Sequence, residues 1–536
     1  MGLMRPVEAL ENFDRAIGSM GVPALIGRAV ALQKIGRNHE AIEAFHDAIR
    51  LEPGYAALHQ NLGDLLMATG NTKDAVSSYD RAYTLDSNLP RLSGNRHYAK
   101  LKTGDWRDYE KDRDAMLAAI RRGDPAASTL ITFEADPALQ QTCAQLQAAL
   151  AKGDATPLWQ GERYEHARIR LAYVSKDFRD HPNITLATEL FERHDRNSFE
   201  VYAISMGVSD QSVARKRLEA AFEHFVQVPL MHAKDIATLI RTLEIDIVVD
   251  LDVYSVNSKP EIFAWRPAPV AVNFLGYPGT SGSKDMDYIV ADRIIIPEAD
   301  KPYYDEHVVY MPHSYQANTR RPIATEPATR AETGLPENAF VFCCFNSSQK
   351  IVPSTFEIWM RLLKQVEGSV LWLYGSDSLL QQNLRNEAKK CGVVGERLIF
   401  ASRLPHDQHL ARHRLADLFL DTLPFNAHTT ASDALWAGLP VLTRVGNSFA
   451  GRVAASLLTA IGLPEMITHT AEEYEALALD LARNAEKLSA VRERLNNNRE
   501  TTPLFDGAAY TRDLEAVYRT MWRLHQQGAA LEGFLV

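Results

Sequence analysis

The chain repeats itself near its start, and the period of that repeat restricts its fold more than any other feature. Residues 24–56 written above 57–90 match at an offset of 34: Gly36 with Gly70, Ala41 with Ala75, Phe45 with Tyr79, Ala48 with Ala82 and Leu51 with Leu85. A fixed period of this kind means one supersecondary unit copied and stacked, because a single unit buries its apolar face only against its neighbours. Each matched position has a packing reason. Glycine closes the first helix of a unit, small alanines let paired helices approach, and the aromatic ring fills the groove between them. Ala9 and Phe13 recur 32 residues before Ala41 and Phe45, and Gly104 stands 34 beyond Gly70, so a partial unit precedes two good ones and a degenerate one follows.

The period is that of the tetratricopeptide repeat, whose helical pairs stack into a curved solenoid. Such a concave surface binds extended peptide or serves as a purely structural array. From 121 to 165 the periodicity breaks in RRGDPAAST and KGDATP, which reads as a linker holding one helix near 137–151. From Arg168 the pattern becomes short β-rich runs between amphipathic stretches: RLAYVS, FEVYAIS, IDIVVDL and APVAVNFL. After a loop-like stretch over 312–339 it starts again with FVFCCF, SVLWLYG, RLIFAS, LADLFLD and LPVLT. Alternation of this sort predicts parallel sheets built from βαβ units, and its recurrence predicts two Rossmann-like domains facing a cleft. In the second, Ser354 to Glu357 reads as a capping box that starts a helix after Pro353, and Gly392 marks where the next helix stops.

Composition agrees with several globular domains. The 536 residues are 46% hydrophobic and 24% charged, with a net charge of −10 and no basic block to attract nucleic acid or an anionic membrane. Four cysteines without CxxC spacing fit a reducing compartment. Charged residues among the first twenty and the absence of an 18-residue apolar run argue against a signal peptide and a membrane span, so a cytoplasmic location is expected.

Ligands of open α/β sheets sit beyond the carboxyl ends of the strands. Four segments there carry chemistry. Lys350 ends FNSSQK just before a proline-initiated helix, where an ammonium neutralises phosphate or is simply solvated. In NAHTTASD, the helix start at Thr429 and Thr430 offers N–H groups, hydroxyls and a positive dipole end to a pyrophosphate, with Asp433 one turn in to accept from ribose hydroxyls; either threonine also serves as an N-cap. LPHDQHLARHR holds His406, His409 and His413, which suit packing around a nucleotide base better than zinc, since no Glu or Cys completes a ligand set. His181, at the loop-to-helix transition of KDFRDHPNIT, faces the cleft as an acid, a base or a sugar ligand, or is structural. The glycine-rich GYPGTSG lacks the dinucleotide fingerprint, and Asp250-Leu251-Asp252 has the DxD form of a metal-dependent transferase but ends a buried-looking strand.

Taken together, YVSKDFRDHP, FAWRPAPVAVNFLGYPGTSG, MDYIVADR, FNSSQKIVPSTF, LADLFLDTLPFNAHTTASDALWAGLPVLT and GRVAASLL resemble the family of O-linked N-acetylglucosamine transferases, over residues 166 to 525. The resemblance implies a short tetratricopeptide solenoid (1–120), a linker (121–165), an acceptor-side Rossmann-like domain (166–330) and a UDP-sugar-binding one (336–536) with a terminal crossover helix, the last two forming a GT-B transferase. It implies inverting transfer of N-acetylglucosamine from UDP-GlcNAc to Ser or Thr of proteins held by the repeats, with no cofactor and no bound metal. His181 and Lys350 match the catalytic positions. By the same resemblance Lys350 matches the lysine that contacts the diphosphate, His428, Thr429, Thr430 and Asp433 match the nucleotide-binding helix start, His406, His409 and Arg412 its pocket, and Leu275 and Gly276 the approach to the sugar. Thr185, Val253 and His406 stand where the family commonly has histidine, glycine and lysine. Transfer to asparagine, a glycan or a small molecule, or a scaffold with an inactive transferase domain, are the alternatives.

Overall fold

The structure, a computed structural model, describes residues 4–134, 136–326 and 328–536. The chain divides into two compact units. One runs to Thr129 and takes in Asp377–Leu384; the other holds Leu130–Ser376 and Arg385–Val536.

The first unit is helical. Met4–Met20, Val22–Lys34, Asn38–Leu51, Ala56–Ala68, Thr72–Leu85, Leu92–Lys102 and Tyr109–Arg121 follow one another as antiparallel pairs. Gly36, Gly70 and Gly104 take left-handed backbone at φ 80°, 81° and 63°, a conformation glycine enters without a Cβ penalty, and each follows the first helix of its pair. Phe45 and Tyr79 are buried with Ala41, Ala48, Ala75 and Ala82 in one apolar core. A Cβ on Gly63 would lie 2.7 Å from the Tyr79 ring, so the small residue is what admits the aromatic. In the degenerate last pair an ion pair joins the apolar filling of Leu101, Met116 and Ile120: Lys100 and Asp112, both 4% exposed, pair at 2.9 Å. Asn383, in the stretch this unit takes in, donates to the Thr103 carbonyl at 2.9 Å.

The second unit contains two parallel sheets. The first has strands β1 (Ile169–Ser175), β2 (Phe199–Ser205), β3 (His224–Gln227), β4 (Ile247–Asp250), β5 (Val270–Asn273), β6 (Tyr288–Ala291) and β7 (His307–Tyr310), in the order β3-β2-β1-β4-β5-β6-β7. The second has β8 (Val341–Cys344), β9 (Val370–Tyr374), β10 (Leu398–Ala401), β11 (Leu418–Leu420), β12 (Val441–Arg444) and β13 (Ile467–Thr468), in the order β10-β9-β8-β11-β12-β13. Helices cover both faces, so central strands such as β4 and β8 are buried throughout, which is why they read as unbroken apolar runs. The strand order turns back on itself between β1 and β4, and again between β8 and β11. This is the doubly wound arrangement of a GT-B fold, and it opens a crevice at each reversal.

Other elements complete this unit. Helix Pro137–Lys152 lies on the first sheet's domain, where Lys152 pairs with Asp285 at 2.8 Å and the Ala144 backbone is so close to Gly282 that a Cβ would sit 2.4 Å from it. Helix Gly507–Gln526 sends Leu514, Val517, Tyr518 and Met521 into the first sheet's core, and its Glu515 accepts from His194 Nδ1 at 3.1 Å. The capping box expected at Ser354–Glu357 is not formed. The helix runs Pro353–Gln365 with Val352 as N-cap and no side-chain cap. Proline has no N–H to cap and its φ is already helical, so the helix starts one residue earlier and Ser354 falls inside it. Gly392, at φ 76°, ends helix Ser378–Lys390, and the Val393 N–H bonds back to Ala388. No helix among the described residues is long and apolar enough to cross a membrane.

Candidate functional site at the facing strand ends

The residues that carry chemistry follow the strands on either side of the two reversals. Beyond β8 and β11, Lys350 reaches across to the loop 421–428. Its Nζ donates to the Asn426 carbonyl at 2.8 Å and lies 3.9 Å from the centre of the Phe425 ring. Behind the loop is Asp421, 3% exposed, which accepts from Thr443 Oγ1 at 2.6 Å, the Ala427 N–H at 2.6 Å and the Thr422 N–H at 2.7 Å. These bonds turn the chain so that the Asn426 carbonyl meets the lysine. Burial lowers the Lys350 ammonium to about 8, against the pull of Asp421, and raises the Asp421 carboxyl to about 6. Lys350 thus stays cationic at neutral pH, close to its titration point.

Helix Thr429–Ala437 starts here, with His428 as its N-cap residue and no side-chain cap. Neither threonine is therefore the N-cap that the sequence allowed as the alternative. Thr429 and Thr430 are the first two helical residues, and their hydroxyls leave the helix: Thr430 donates to Asn346 Oδ1, and Thr429 donates to Asn183 Oδ1 of the opposite domain at 3.4 Å. His428 Nε2 donates to the Ala450 carbonyl at 3.1 Å, which leaves Nδ1 as the acceptor. Burial, with Lys350 adding repulsion, pushes His428 well below its ordinary value and keeps it neutral. The first-turn N–H groups have no carbonyl ahead of them in the helix, so they and the dipole present a positive end beside Lys350.

Asp433, 4% exposed, lies on the same helix. Burial would raise its carboxyl, but an ion pair with Arg321 and the nearness of His406, 3.6 Å away, outweigh burial and hold it well below the usual carboxylate range. Helix His406–Arg412 supplies His406 from its first turn and His409 and Arg412 from its last. Arg412, 2% exposed, donates to the Ser402 carbonyl at 2.6 Å, lies 4.6 Å from the Phe345 ring centre and bonds His409 Nδ1. Burial, helped by His413 and Arg412, takes His409 down to about 2. His413 is fully buried against Phe345, so it is a core residue. Among the described residues no group of three His, Cys, Asp or Glu side chains is disposed to hold a metal ion.

On the facing sheet, His181 is the N-cap residue of helix Pro182–Arg193. Its Nε2 is 3.6 Å from Asp177 Oδ2, and its Nδ1 is buried with no hydrogen-bond partner. Burial lowers the imidazole below its ordinary value, with Asp177 opposing, which favours its neutral form. Thr185 spends its hydroxyl on the His181 carbonyl at 3.0 Å. Beyond β5, Leu275 takes φ 72° and Gly276 sits so tightly on the neighbouring loop that a Cβ would lie 1.7 Å from the Leu251 carbonyl oxygen. Val253, β-branched, is held at φ 45°. Asp250 and Asp252 shape these loops. Asp250 accepts the N–H groups of Asp252 and Val253 at 2.9 and 3.0 Å, and Asp252 accepts from Ser175 Oγ at 3.0 Å and the Lys176 N–H at 2.6 Å. Burial, reinforced for Asp250 by its neighbour, raises them to about 7 and about 6.

The two sheets thus bring Lys350, the Thr429 helix start and His181 to one crevice, with Asn183 and Thr429 in contact across it. Asn183, Asn346, Asp421 and Arg321 were not singled out in the sequence. Asn183, in the first turn of helix Pro182–Arg193, and Asn346 stand inside strings read for their neighbours His181 and Lys350, Arg321 sits in a loop with no motif of its own, and Asp421 ends an apolar run like any strand-terminating aspartate.

Comparison with known proteins identifies the family of the chain. The model of glycosyl transferase family 41 matches residues 152–323 and 316–514, and a tetratricopeptide repeat model matches 34–82. "Probable UDP-N-acetylglucosamine--peptide N-acetylglucosaminyltransferase SEC" of Arabidopsis thaliana is 37% identical over 376 residues, covering 69% of this chain and 38% of that protein. The UDP-N-acetylglucosamine--peptide N-acetylglucosaminyltransferase of Caenorhabditis elegans is 28% identical over 493 residues, covering 70% of this chain and 43% of that one. The chain therefore spans about two fifths of the length of these curated relatives. A solved mutant of the Thermobaculum terrenum O-GlcNAc transferase superposes with a TM-score of 0.82 at 29% identity, covering 95% of this chain and 98% of that one. With the family model matching well over half of its length, the chain belongs to glycosyl transferase family 41.

Proposed function

We propose that this chain is an inverting, metal-independent transferase that moves N-acetylglucosamine from UDP-GlcNAc to serine or threonine hydroxyls of proteins. The observation that carries the reading is the convergence of one ammonium, one helix start and one neutral imidazole at the facing strand ends. In the displacement, the acceptor oxygen forms a bond to the anomeric carbon as the bond from that carbon to the β-phosphate oxygen breaks, and the configuration inverts. The electron pair leaves with UDP. Lys350 and the N–H groups of the Thr429 helix neutralise the charge that develops on the leaving diphosphate, the task a divalent cation performs in other transferases. Asp433 accepts from the ribose hydroxyls, and His406, His409 and Arg412 enclose the nucleotide.

The acceptor proton leaves late in such a reaction, and His181, neutral and with an unengaged Nδ1, is suited to take it or to orient the sugar. Leu275 and Gly276 bring backbone close to the sugar. The names of the relatives favour GlcNAc as donor sugar and peptide as acceptor, and the repeats offer a surface for the acceptor chain. The test is release of UDP from UDP-GlcNAc, UDP-glucose and UDP-galactose by purified protein in EDTA, with Lys350→Ala as control. Release from UDP-GlcNAc that the substitution abolishes supports the reading; failure to bind any UDP-sugar sinks it.

A further inference from the structure

The segment that joins the two sheets is a polar strap. Gln316, Asn318, Thr319 and Arg321 are 2%, 3%, 2% and 5% exposed. Thr319 holds one side of the crevice: its Oγ1 donates to the Leu186 carbonyl at 2.6 Å and accepts the Glu189 N–H at 3.4 Å, both on the helix that His181 starts. Arg321 and Asn318 hold the other. Arg321 pairs with Asp433, donates to Ser432 Oγ at 3.0 Å and receives Trp436 Nε1 on its carbonyl at 2.8 Å, while Asn318 Oδ1 accepts from Ser432 Oγ at 2.6 Å. The strap also reaches the His406 helix, where the Ala324 N–H donates to the Asp407 carbonyl at 3.1 Å.

A connection needed only for stability would bury apolar side chains here, because taking a guanidinium and a carboxylate out of water offsets most of their attraction. What the buried pair contributes instead is direction: one arm of the planar guanidinium holds the Asp433 carboxylate and the other holds Ser432, which admits one placement of the helix that bears both. Thr319, two residues away, gives the His181 helix one placement against the same backbone. We propose that residues 318–321 are a positioning device that sets the spacing between the two halves of the site, Arg321 acting through Asp433 on nucleotide binding and Thr319 acting through the His181 helix on turnover. Neither side chain touches the reacting atoms. The inference rests on the UDP-sugar transferase reading above.

The test uses the full chain with Arg321→Met, Arg321→Lys and Thr319→Val, UDP as the calorimetric probe, UDP release for kcat and KM, and thermal melting alongside. Arg321→Met raises the Kd for UDP about tenfold or more, and Arg321→Lys, which keeps the charge and loses the fork, falls between it and wild type. Thr319→Val leaves the Kd within about twofold and the KM unchanged but lowers kcat about fivefold, the worth of one hydrogen bond. If Arg321→Met does not fold, Arg321→Lys carries the binding test. Arg321 variants that bind UDP like wild type overturn the proposal, as does a Thr319→Val kcat equal to wild type. So does a fall in melting temperature with no split between Kd and kcat. Wild-type protein that fails to bind UDP removes the transferase reading and this inference with it.

Discussion

Removing one ammonium gives the sharpest test of how the diphosphate is held. Lys350 is lowered by burial to about 8, while its neighbours titrate elsewhere: Asp421 at about 6, His428 well below neutrality, and the Cys344 thiol and Tyr474 phenol raised above their ordinary values. The secondary ionisation of a phosphate lies near about 6, so between pH 7 and 9 Lys350 is the group that changes charge in this corner of the crevice. With a midpoint of about 8, its cationic fraction falls from about nine tenths at pH 7 to about one tenth at pH 9. Bound phosphate holds the proton on, so UDP affinity tracks the cationic fraction of the free protein and weakens close to tenfold over those two pH units. A charge-assisted contact contributes about 1.5–3 kcal/mol, so Lys350→Ala weakens UDP about 10- to 100-fold at pH 7, and the two proteins converge as pH rises. Calorimetric titration of UDP at pH 7, 8 and 9 in EDTA measures this directly. A wild-type affinity flat across the range, or a Lys350→Ala affinity with the same slope, refutes the assignment.

Gly276→Ala places a methyl 1.7 Å from the Leu251 carbonyl, so the two loops must separate. Urea unfolding should show a loss of about 1–3 kcal/mol, and sugar transfer should fall while UDP binding stays within about twofold. The buried Asp250–Asp252 pair, raised from 3.8 to about 7 and about 6, has folded values above its unfolded ones. Its stabilising contribution is complete below about pH 4 and is lost as pH rises through about 6 to 7, so Asp250→Asn should raise the Tm at pH 8 and leave it nearly unchanged at pH 4. Deleting residues 1–120 should abolish labelling of protein acceptors while hydrolysis of UDP-GlcNAc persists; equal loss of both would make the repeats structural.

Much of the site was legible because its residues belong to local strings. Lys350 follows a strand and precedes a proline-started helix, and Thr429, Thr430 and Asp433 surround a helix start, so backbone pattern alone put each beyond a strand end. Misreadings came where two local signals competed. Pro353 satisfied the helix start that the Ser354–Glu357 box would have capped, and the threonine hydroxyls that suit an N-cap bond across the crevice to Asn183 and towards Asn346. The histidines of 406–413 show the same limit: their spacing is that of one helix, but only packing sends His413 into the core against Phe345 and leaves His406 beside Asp433.

By itself the sequence determined the helical repeats, since glycine and alanine at a fixed period leave few ways to pack, and the parallel sheets, since unbroken apolar runs between amphipathic stretches are buried on both faces. It also put Lys350, the Thr429 helix start and His181 beyond the ends of strands. Only the tertiary structure decided which strand ends face each other, that Asn183 meets Thr429, and that Arg321 closes on Asp433 more than a hundred residues along. Periodicity and propensity act over a few residues, whereas ion pairs and hydrogen bonds between distant segments depend on sheet order and register, which no local pattern encodes.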